Sequence, residues 1–273
     1  LGEMPLSLGT RPNEAQAIPV VHAAVDAGMT WTDTADVDCV DHRDIGHGER
    51  LVTTALKAMG DSGKDIVVAT KGGLERPGGN WTVNGHPDHL HSACAASLRS
   101  LETDCITWYQ LHATDPKVHF TESVGALARL QEEGKIQHVG LSNVGVAEIQ
   151  AAREIVNVVS VQNRCNPFDR DSFNSGVVAF CTRENIAFLP HSPVGGHKGH
   201  IRTPEDSVLC AVGARHGISP YQVCIAWLLA LSPKMLPIPG ASRIESARSS
   251  AAAAATSLTL RDMEDLAHVF PTV

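Results

Sequence analysis

Residues 31–39 read WTDTADVDC. The run opens with residues that favour an extended chain and then turns polar, with carboxylates at Asp33, Asp36 and Asp38. A strand that hands acidic side chains to the loop after it is how a parallel α/β barrel builds its working face. Residues 29–33 are therefore expected to form a barrel strand, with Asp33 at its C-terminal end.

Outward from this stretch the chain alternates between two periods. Upstream, residues 1–6 are a candidate first strand, and residues 14–27 space Ala17, Val20, Val21, Ala24 and Val25 along one helix face that Gly28 closes. Downstream, strands are expected at 65–70, 105–111, 137–141, 158–161, 186–189 and 235–238. Helical patterns separate them at 49–59, 88–101, 122–133, 146–156 and 175–184. Two more helices, 205–216 and 220–231, follow the seventh strand; 244–255 follows the eighth, and 260–269 packs across the outside. Eight strands alternating with helices, and no Gly-rich phosphate loop after the first, predict an α/β protein built as a single (β/α)8 TIM barrel over residues 1–273.

Composition narrows the partners. Hydrophobic residues make up 43% of the chain, enough for a large core, and 22 basic residues scattered among 30 acidic ones leave a net charge of -8. That balance argues against a nucleic-acid surface and for a small-molecule partner. No run of eighteen apolar residues is present, so no membrane partner is expected. Seven cysteines, an odd number without a CxxC pair, read as reduced thiols of a cytoplasmic protein. Assembly into a homo-oligomer stays open. The first residues already read as a strand without an initiator Met, so a short preceding piece is expected.

At the expected strand ends stand three polar residues that burial alone does not explain. They are Asp33, Lys71 in VVATKGG and His112 in WYQLHATD. Coming from successive strands, they are expected to converge.

With DTAD at 33–36, ATKGG at 69–73, LQEEGKIQHVGLSN at 130–143, VQN at 161–163, SPVGG at 192–196 and IPGASR at 238–243, the sequence resembles the aldo-keto reductase family along essentially its whole length. The resemblance implies hydride transfer to a carbonyl substrate, with a side chain that protonates the oxygen. In the family a tyrosine does so beside a lysine, an aspartate pairs with that lysine, and a histidine orients the carbonyl. Asp33, Lys71 and His112 occupy three of these places, and Asp38 stands in the tyrosine's. An aspartate has a reference pKa of about 3.9, so beside Lys71 it is expected to be an anion that cannot simply inherit the tyrosine's role. Tyr109 and Tyr221 are the only tyrosines, and neither lies in a loop that refills the gap. The leading expectation is an NADP-dependent aldo-keto oxidoreductase with an altered acid, the proton coming from His112 or Lys71. One alternative is a redox-silent lyase, dehydratase or isomerase in which Asp38, Lys71 and His112 do the acid/base work. Another is a degenerate enzyme that still binds the dinucleotide, and a third, non-enzymatic, is a dinucleotide-sensing subunit like the potassium-channel β subunits that share the fold.

The resemblance also implies a cofactor site. Ser142, Asn143 and Gln162 correspond to the residues that hold the nicotinamide carboxamide. Pro239, Gly240, Ala241 and Ser242 open a helix whose N-terminus favours phosphate, and Arg243 is placed to fork onto a 2′-phosphate, which favours NADP. His191 replaces the aromatic ring usually stacked on the nicotinamide, and Ser192, Pro193 and Gly195 follow it. Ser249 and Ser250 replace the expected Glu and Asn, and Cys165 replaces a tyrosine after the QN pair. Other clusters point less clearly to chemistry. The loop DVDCVDHRD at 36–44 lacks the spacing of a metal site, and Cys39 in it reads as a small filler. His86, His89 and His91 sit at a helix start as caps or solvated groups, and His197 and His200 lie in a loop over the cofactor. Substrate shape is expected to be set by loops 71–85 and 191–203.

Overall fold

A computed structural model of the chain describes residues 1–272, with the side chains of residues 197 and 198 outside the description. Its strands are β1 (Trp31–Asp33), β2 (Val67–Gly72), β3 (Leu74–Glu75), β4 (Thr82–Val83), β5 (Ile106–Leu111), β6 (Ile136–Ser142), β7 (Val158–Gln162) and β8 (Ala187–Phe188). Six of them form one sheet in the order β1-β2-β5-β6-β7-β8, each pair parallel, while β3 and β4 make a small antiparallel hairpin.

Isolated bridges close the sheet into a ring. Gly2 bridges Asp33 on one side and Gly240 on the other, Phe188 bridges Met235, and His191 bridges Ile238. The first and eighth staves are thus present but are not regular strands. Residues 1–6, expected as strand one, contribute the bridge at Gly2 and then turn into the 3-10 segment Met4–Leu6. In the eighth stave Pro237 and Pro239 carry no N–H, so only Leu236 and Ile238 donate, to Phe188 O at 2.8 Å and Pro190 O at 3.2 Å. A Cβ on Gly2 would sit 2.9 Å from the Ile238 carbonyl oxygen, so closure at this seam requires glycine.

Two bonds identify the inner face of the ring. Trp108 Nε1 donates to Ser160 Oγ at 2.8 Å across the intervening β6, and Gln162 Nε2 donates to Asp33 Oδ2 at 2.8 Å across three intervening strands. Such bonds are possible only through the lumen. With the two-residue period of a strand, Trp31, Asp33, Lys71, Trp108, Gln110, Ser142, Ser160 and Gln162 then all point inward. Trp31 and Trp108 fill the floor edge to face, with ring centroids 4.5 Å apart. The alternate residues Tyr109, Leu111, Val139, Leu141 and Val161 point outward and are fully buried under the helices. Each such side chain contributes about 1.5–3 kcal/mol of burial.

The helices lie where the periodicity places them, with Pro220–Leu231 and Leu260–Val269 at the expected bounds. The helix expected at 175–184 is present as Val177–Arg183, starting after Gly176 at φ +78°, and a separate short helix, Asp171–Asn174, precedes it. The helix expected from 205 starts at Ser207, because Asp206 accepts the N–H groups of Val208 and Leu209 as its cap. The helix expected to reach 156 ends at Arg153, and that expected to reach 255 ends at Ala252 and tightens into a 3-10 turn. The loop expected at 71–85 is the β3–β4 hairpin, and 196–205 is two short helical turns rather than an irregular loop. Among the described residues no helix is long and apolar enough to cross a membrane, and all seven cysteines are free.

The last helix is tied down by Asp262, which is 1% exposed. Its carboxylate caps the helix through Thr259 and accepts from Arg215 Nε and His216 Nε2, each at 2.7 Å. Burial alone would raise this carboxyl, but the bonds from Thr259, His216 and Arg215 outweigh it and hold Asp262 well below the usual range. Asp262→Asn is expected to destabilise the protein by about 2 kcal/mol, lowering Tm by roughly 4–8 °C in a thermal melt at pH 7. Because the folded pKa is depressed, the wild-type advantage is full above the ordinary carboxylate range and shrinks as pH falls below about 4. An unchanged Tm would show that Arg215 and His216 find equivalent partners.

Candidate active site

The register of the inner face brings an ion pair together at the top of the ring. Lys71 Nζ lies 2.5 Å from Asp33 Oδ1 and donates to the Thr34 carbonyl oxygen at 2.8 Å, with both side chains 5% exposed. Gln110, opposite Lys71 in the β2–β5 register, donates to Asp33 Oδ2 at 3.1 Å, and Gln162 donates to the same oxygen at 2.8 Å. Asp33 therefore binds one cation and two amides, which fixes the ammonium in the lumen. Gln110 is the residue that reading the sequence missed. Its signal was parity, since Trp108, Gln110 and His112 share one face of their strand.

His112 follows β5 immediately. Burial, then the charges of Lys71 and His191, hold its imidazole well below its ordinary pKa, so it is neutral. Its Nδ1 is buried without a hydrogen-bond partner, and the indole of Trp81 stands edge-on to the ring at 6.2 Å. The expected convergence of Asp33, Lys71 and His112 is thus observed as a bonded pair with a neutral imidazole beside it.

Asp38 departs from its expectation. It is 4% exposed, and its carboxyl oxygens make no hydrogen bond to a described residue. Burial pushes its pKa up to about 7 against the pull of Lys71, while Asp33 and Glu49 raise it further and Arg76 opposes them. Asp38 is not the permanent anion that its reference pKa predicts, because desolvation outweighs the nearby ammonium. Three other buried carboxyls surround the same loop. Glu3 and Asp36 are raised by burial first, and then by the charges of Asp38 and Glu49 respectively. Burial also raises Glu49, whose Oε1 accepts from Thr70 Oγ1 at 2.6 Å.

Arg76, from the hairpin, is buried beside this loop. Its Nη2 donates to the carbonyl oxygens of Cys39 and Val40 at 3.1 Å each, and its guanidinium lies 3.9 Å from the centre of the Trp81 ring. Trp81 is 46% exposed, so the hairpin presents an open aromatic face beside His112.

Around the ring, Ser142 and Gln162 are cross-strand partners at the tops of β6 and β7. Asn143, in the left-handed region at φ +58°, donates from Nδ2 to the His112 carbonyl oxygen at 3.0 Å and to Ser142 Oγ at 3.1 Å. Gln162 spends its Nε2 on Asp33, and its Oε1 accepts nothing from a described residue. His191 is pushed down to about 4 by burial and then by Lys71, and its Nδ1 lies 3.3 Å from Ser192 Oγ. Ser192, Pro193 and Gly195 form the turn after it, with Ser192 at φ +54°. Pro239, Gly240 and Ala241 line the closing seam, where a Cβ on Gly240 would sit 2.7 Å from Pro5 Cγ. Ser242 and Arg243 are exposed, and the helix Ile244–Ala252 begins at Arg243 without a side-chain cap. Ser249 and Ser250 are half-buried on that helix.

The remaining clusters are structural. In the 36–44 loop, Asp36 accepts from Val37 N, Asp41 from Arg43 N, and Asp44 pairs with Arg11 at 2.5 Å, so apart from Asp38 its carboxyl groups are engaged separately. Burial raises the Cys39 thiol to about 11, and its Sγ sits against the Val37 and Asp41 carbonyls. His86 caps its helix by accepting from Asp88 N. His200 Nδ1 lies 2.9 Å from the Gly196 carbonyl oxygen, while the side chain of His197 lies outside the described residues.

Known proteins share this architecture. The sequence profile described as the Aldo/keto reductase family matches residues 1–269. An uncharacterized oxidoreductase of Schizosaccharomyces pombe is 34% identical over 91% of this chain and 77% of its own length. A probable aldo-keto reductase of Glycine max is 29% identical over 94% of this chain and 80% of its own. Among solved structures, an aldo/keto reductase from Klebsiella pneumoniae in complex with NADP and acetate superposes with a TM-score of 0.84 at 24% identity, covering 100% of this chain and 91% of that one. The glycerol dehydrogenase of Gluconobacter oxydans superposes at 0.85 with 21% identity, covering 98% and 90%. On the profile match across the chain and the extent of the yeast relative's identity, this chain belongs to the aldo/keto reductase family.

Proposed function

We propose that the chain is an NADP-dependent carbonyl reductase in which the buried Asp38 carboxylic acid, in place of the family's tyrosine, protonates the carbonyl oxygen. The observation that carries this reading is the setting of Asp38. It is a buried carboxyl without a hydrogen-bond partner among the described residues, acted on most strongly by Lys71 after desolvation, with its pKa pushed up to about 7. A general acid works best with a pKa near the operating pH, and burial brings an aspartate there.

The residues present fit the dinucleotide. The N-terminus of Ile244–Ala252, uncapped by any side chain and flanked by the exposed Arg243, suits a phosphate. Gln162 Oε1 and the Ser142 and Asn143 side chains offer the mixed acceptors and donors that a carboxamide needs. When bound, the reduced dinucleotide supplies the hydride.

The chain's own residues do the rest. His112, neutral, orients the carbonyl as a hydrogen-bond partner rather than as an imidazolium acid. Asp38 gives its proton to the oxygen and is left a carboxylate, which the fixed ammonium of Lys71 stabilises. Asp33, held by Gln110 and Gln162, keeps that ammonium in place. The exposed Trp81 ring is a wall for an apolar or aromatic part of the substrate.

Asp38→Asn is expected to lower kcat/KM for NADPH oxidation with an aldehyde panel by ~10²- to 10⁴-fold while leaving NADPH binding intact. The wild-type kcat/KM should be level at low pH and fall above pH 7, since the acid must be protonated. Asp38→Tyr should carry activity to higher pH, because tyrosine ionises near 10. Unchanged turnover in Asp38→Asn would remove Asp38 from the chemistry, and product formed without NADPH oxidation would favour a lyase or isomerase. Arg243→Ala should weaken NADPH binding, read by fluorescence titration, about tenfold to a hundredfold, with NADH little affected. Equal losses for both nucleotides would contradict a 2′-phosphate contact.

A further inference from the structure

Residues 36–41, which carry Asp38, belong to no helix or strand, so the course of this loop depends on what is bonded to it. Asp38 is tied through its own backbone. Its N–H donates to the Ala35 carbonyl oxygen and its carbonyl oxygen accepts from the Gly48 N–H, each at 3.0 Å. Beyond Asp38 three ties come from one residue, Arg76, which is 6% exposed and directly follows β3. Its Nη2 donates to the Cys39 and Val40 carbonyl oxygens at 3.1 Å each, and its own carbonyl oxygen accepts the His42 N–H at 2.9 Å. The turn of the hairpin follows the loop as closely, since a Cβ on Gly79 would sit 3.2 Å from the Val40 carbonyl oxygen.

We propose that Arg76 is a positioning residue for Asp38, clamping the loop 38–41 to the β3–β4 hairpin so that the acid stays within reach of the substrate oxygen. The inference rests on the reading of Asp38 as the acid.

The chemistry of the side chain suits a clamp. Among the described residues Arg76 bonds to carbonyl oxygens and to no carboxylate, and its Nε is buried without a partner. Burying that donor unpaired is unfavourable, so the two carbonyls and the Trp81 ring, 3.9 Å from the guanidinium carbon, are what fix the group. A lysine keeps the charge but lacks the planar group that stacks on the ring while donating sideways. The charge also acts in the right sense. Burial raises Asp38, Lys71 lowers it, Asp33 and Glu49 raise it, and Arg76 lowers it, so the clamp favours the carboxylate left after proton transfer.

The test is a double-mutant cycle on benzaldehyde reduction by NADPH, with Arg76→Met and Arg76→Lys each made in the wild type and in Asp38→Asn. In the wild-type background Arg76→Met should lower kcat by ~10²-fold, the scale of a misplacement of about 1 Å, with KM and NADPH binding by fluorescence titration little changed. Arg76→Lys should lose about tenfold, because the charge stays and the planar contact goes. In the Asp38→Asn background neither substitution should lower the remaining rate further, since no acid is left to position. Equal losses in both backgrounds, or a loss confined to KM, overturn this inference alone, as does wild-type kcat in Arg76→Lys. If Arg76→Met fails to fold, Arg76→Lys carries the same comparison. Full activity in Asp38→Asn overturns both this inference and the reading beneath it.

Discussion

The mouth of this barrel is governed by a shortage of positive charge. Five carboxyls, Glu3, Asp33, Asp36, Asp38 and Glu49, are buried around the ends of β1 and β2, and among the described residues only Lys71 and Arg76 are buried basic side chains. Burying an unpaired carboxylate costs several kcal/mol, so they cannot all ionise at neutral pH. Lys71 is committed to Asp33 by contact, and Arg76 to the Cys39 and Val40 carbonyls. Burial accordingly raises all four of the others, Glu3 to about 8 and Asp38 to about 7, with Asp36 and Glu49 shifted the same way.

This changes what replacing a tyrosine by an aspartate means. In water the exchange trades a weak acid for one ionised at pH 7. On the proposed reading, in desolvated surroundings already rich in carboxyls, it places on the same loop an acid that holds its proton up to about pH 7. The fold makes that pocket by aiming the inner face of β1, β2, β5 and β7 at one point and by covering the ends of β1 and β2 with the helix His47–Ala58 and the β3–β4 hairpin. The seam at Gly2 matters for the same reason, because it closes the ring beside Asp33.

Most of the architecture was legible from periodicity. Apolar residues at helical spacing and short β-branched runs located the helices and the six regular strands, because burial on one face is a local pattern. The first and eighth staves resisted because prolines leave them bridges in place of ladders, and the ring's closure at Gly2 is a contact between chain ends. Asp33 and Lys71 were legible because strand ends have a common address in a barrel. The ionisation of Asp38 was not, since desolvation depends on which distant segments cover it. Gln110 was hidden for a related reason: an amide in an apolar strand acquires meaning only across the lumen.

The central claim is that Asp38 keeps its proton far above the ordinary carboxylate range, up to about pH 7, and infrared spectroscopy reads this directly. The difference spectrum between wild type and Asp38→Asn isolates the carboxylic-acid C=O band of this residue from the other buried carboxyls. That band is predicted to be present at pH 5 and to give way to the carboxylate bands with a midpoint near 7. A difference spectrum that already shows only carboxylate at pH 5 would contradict the account.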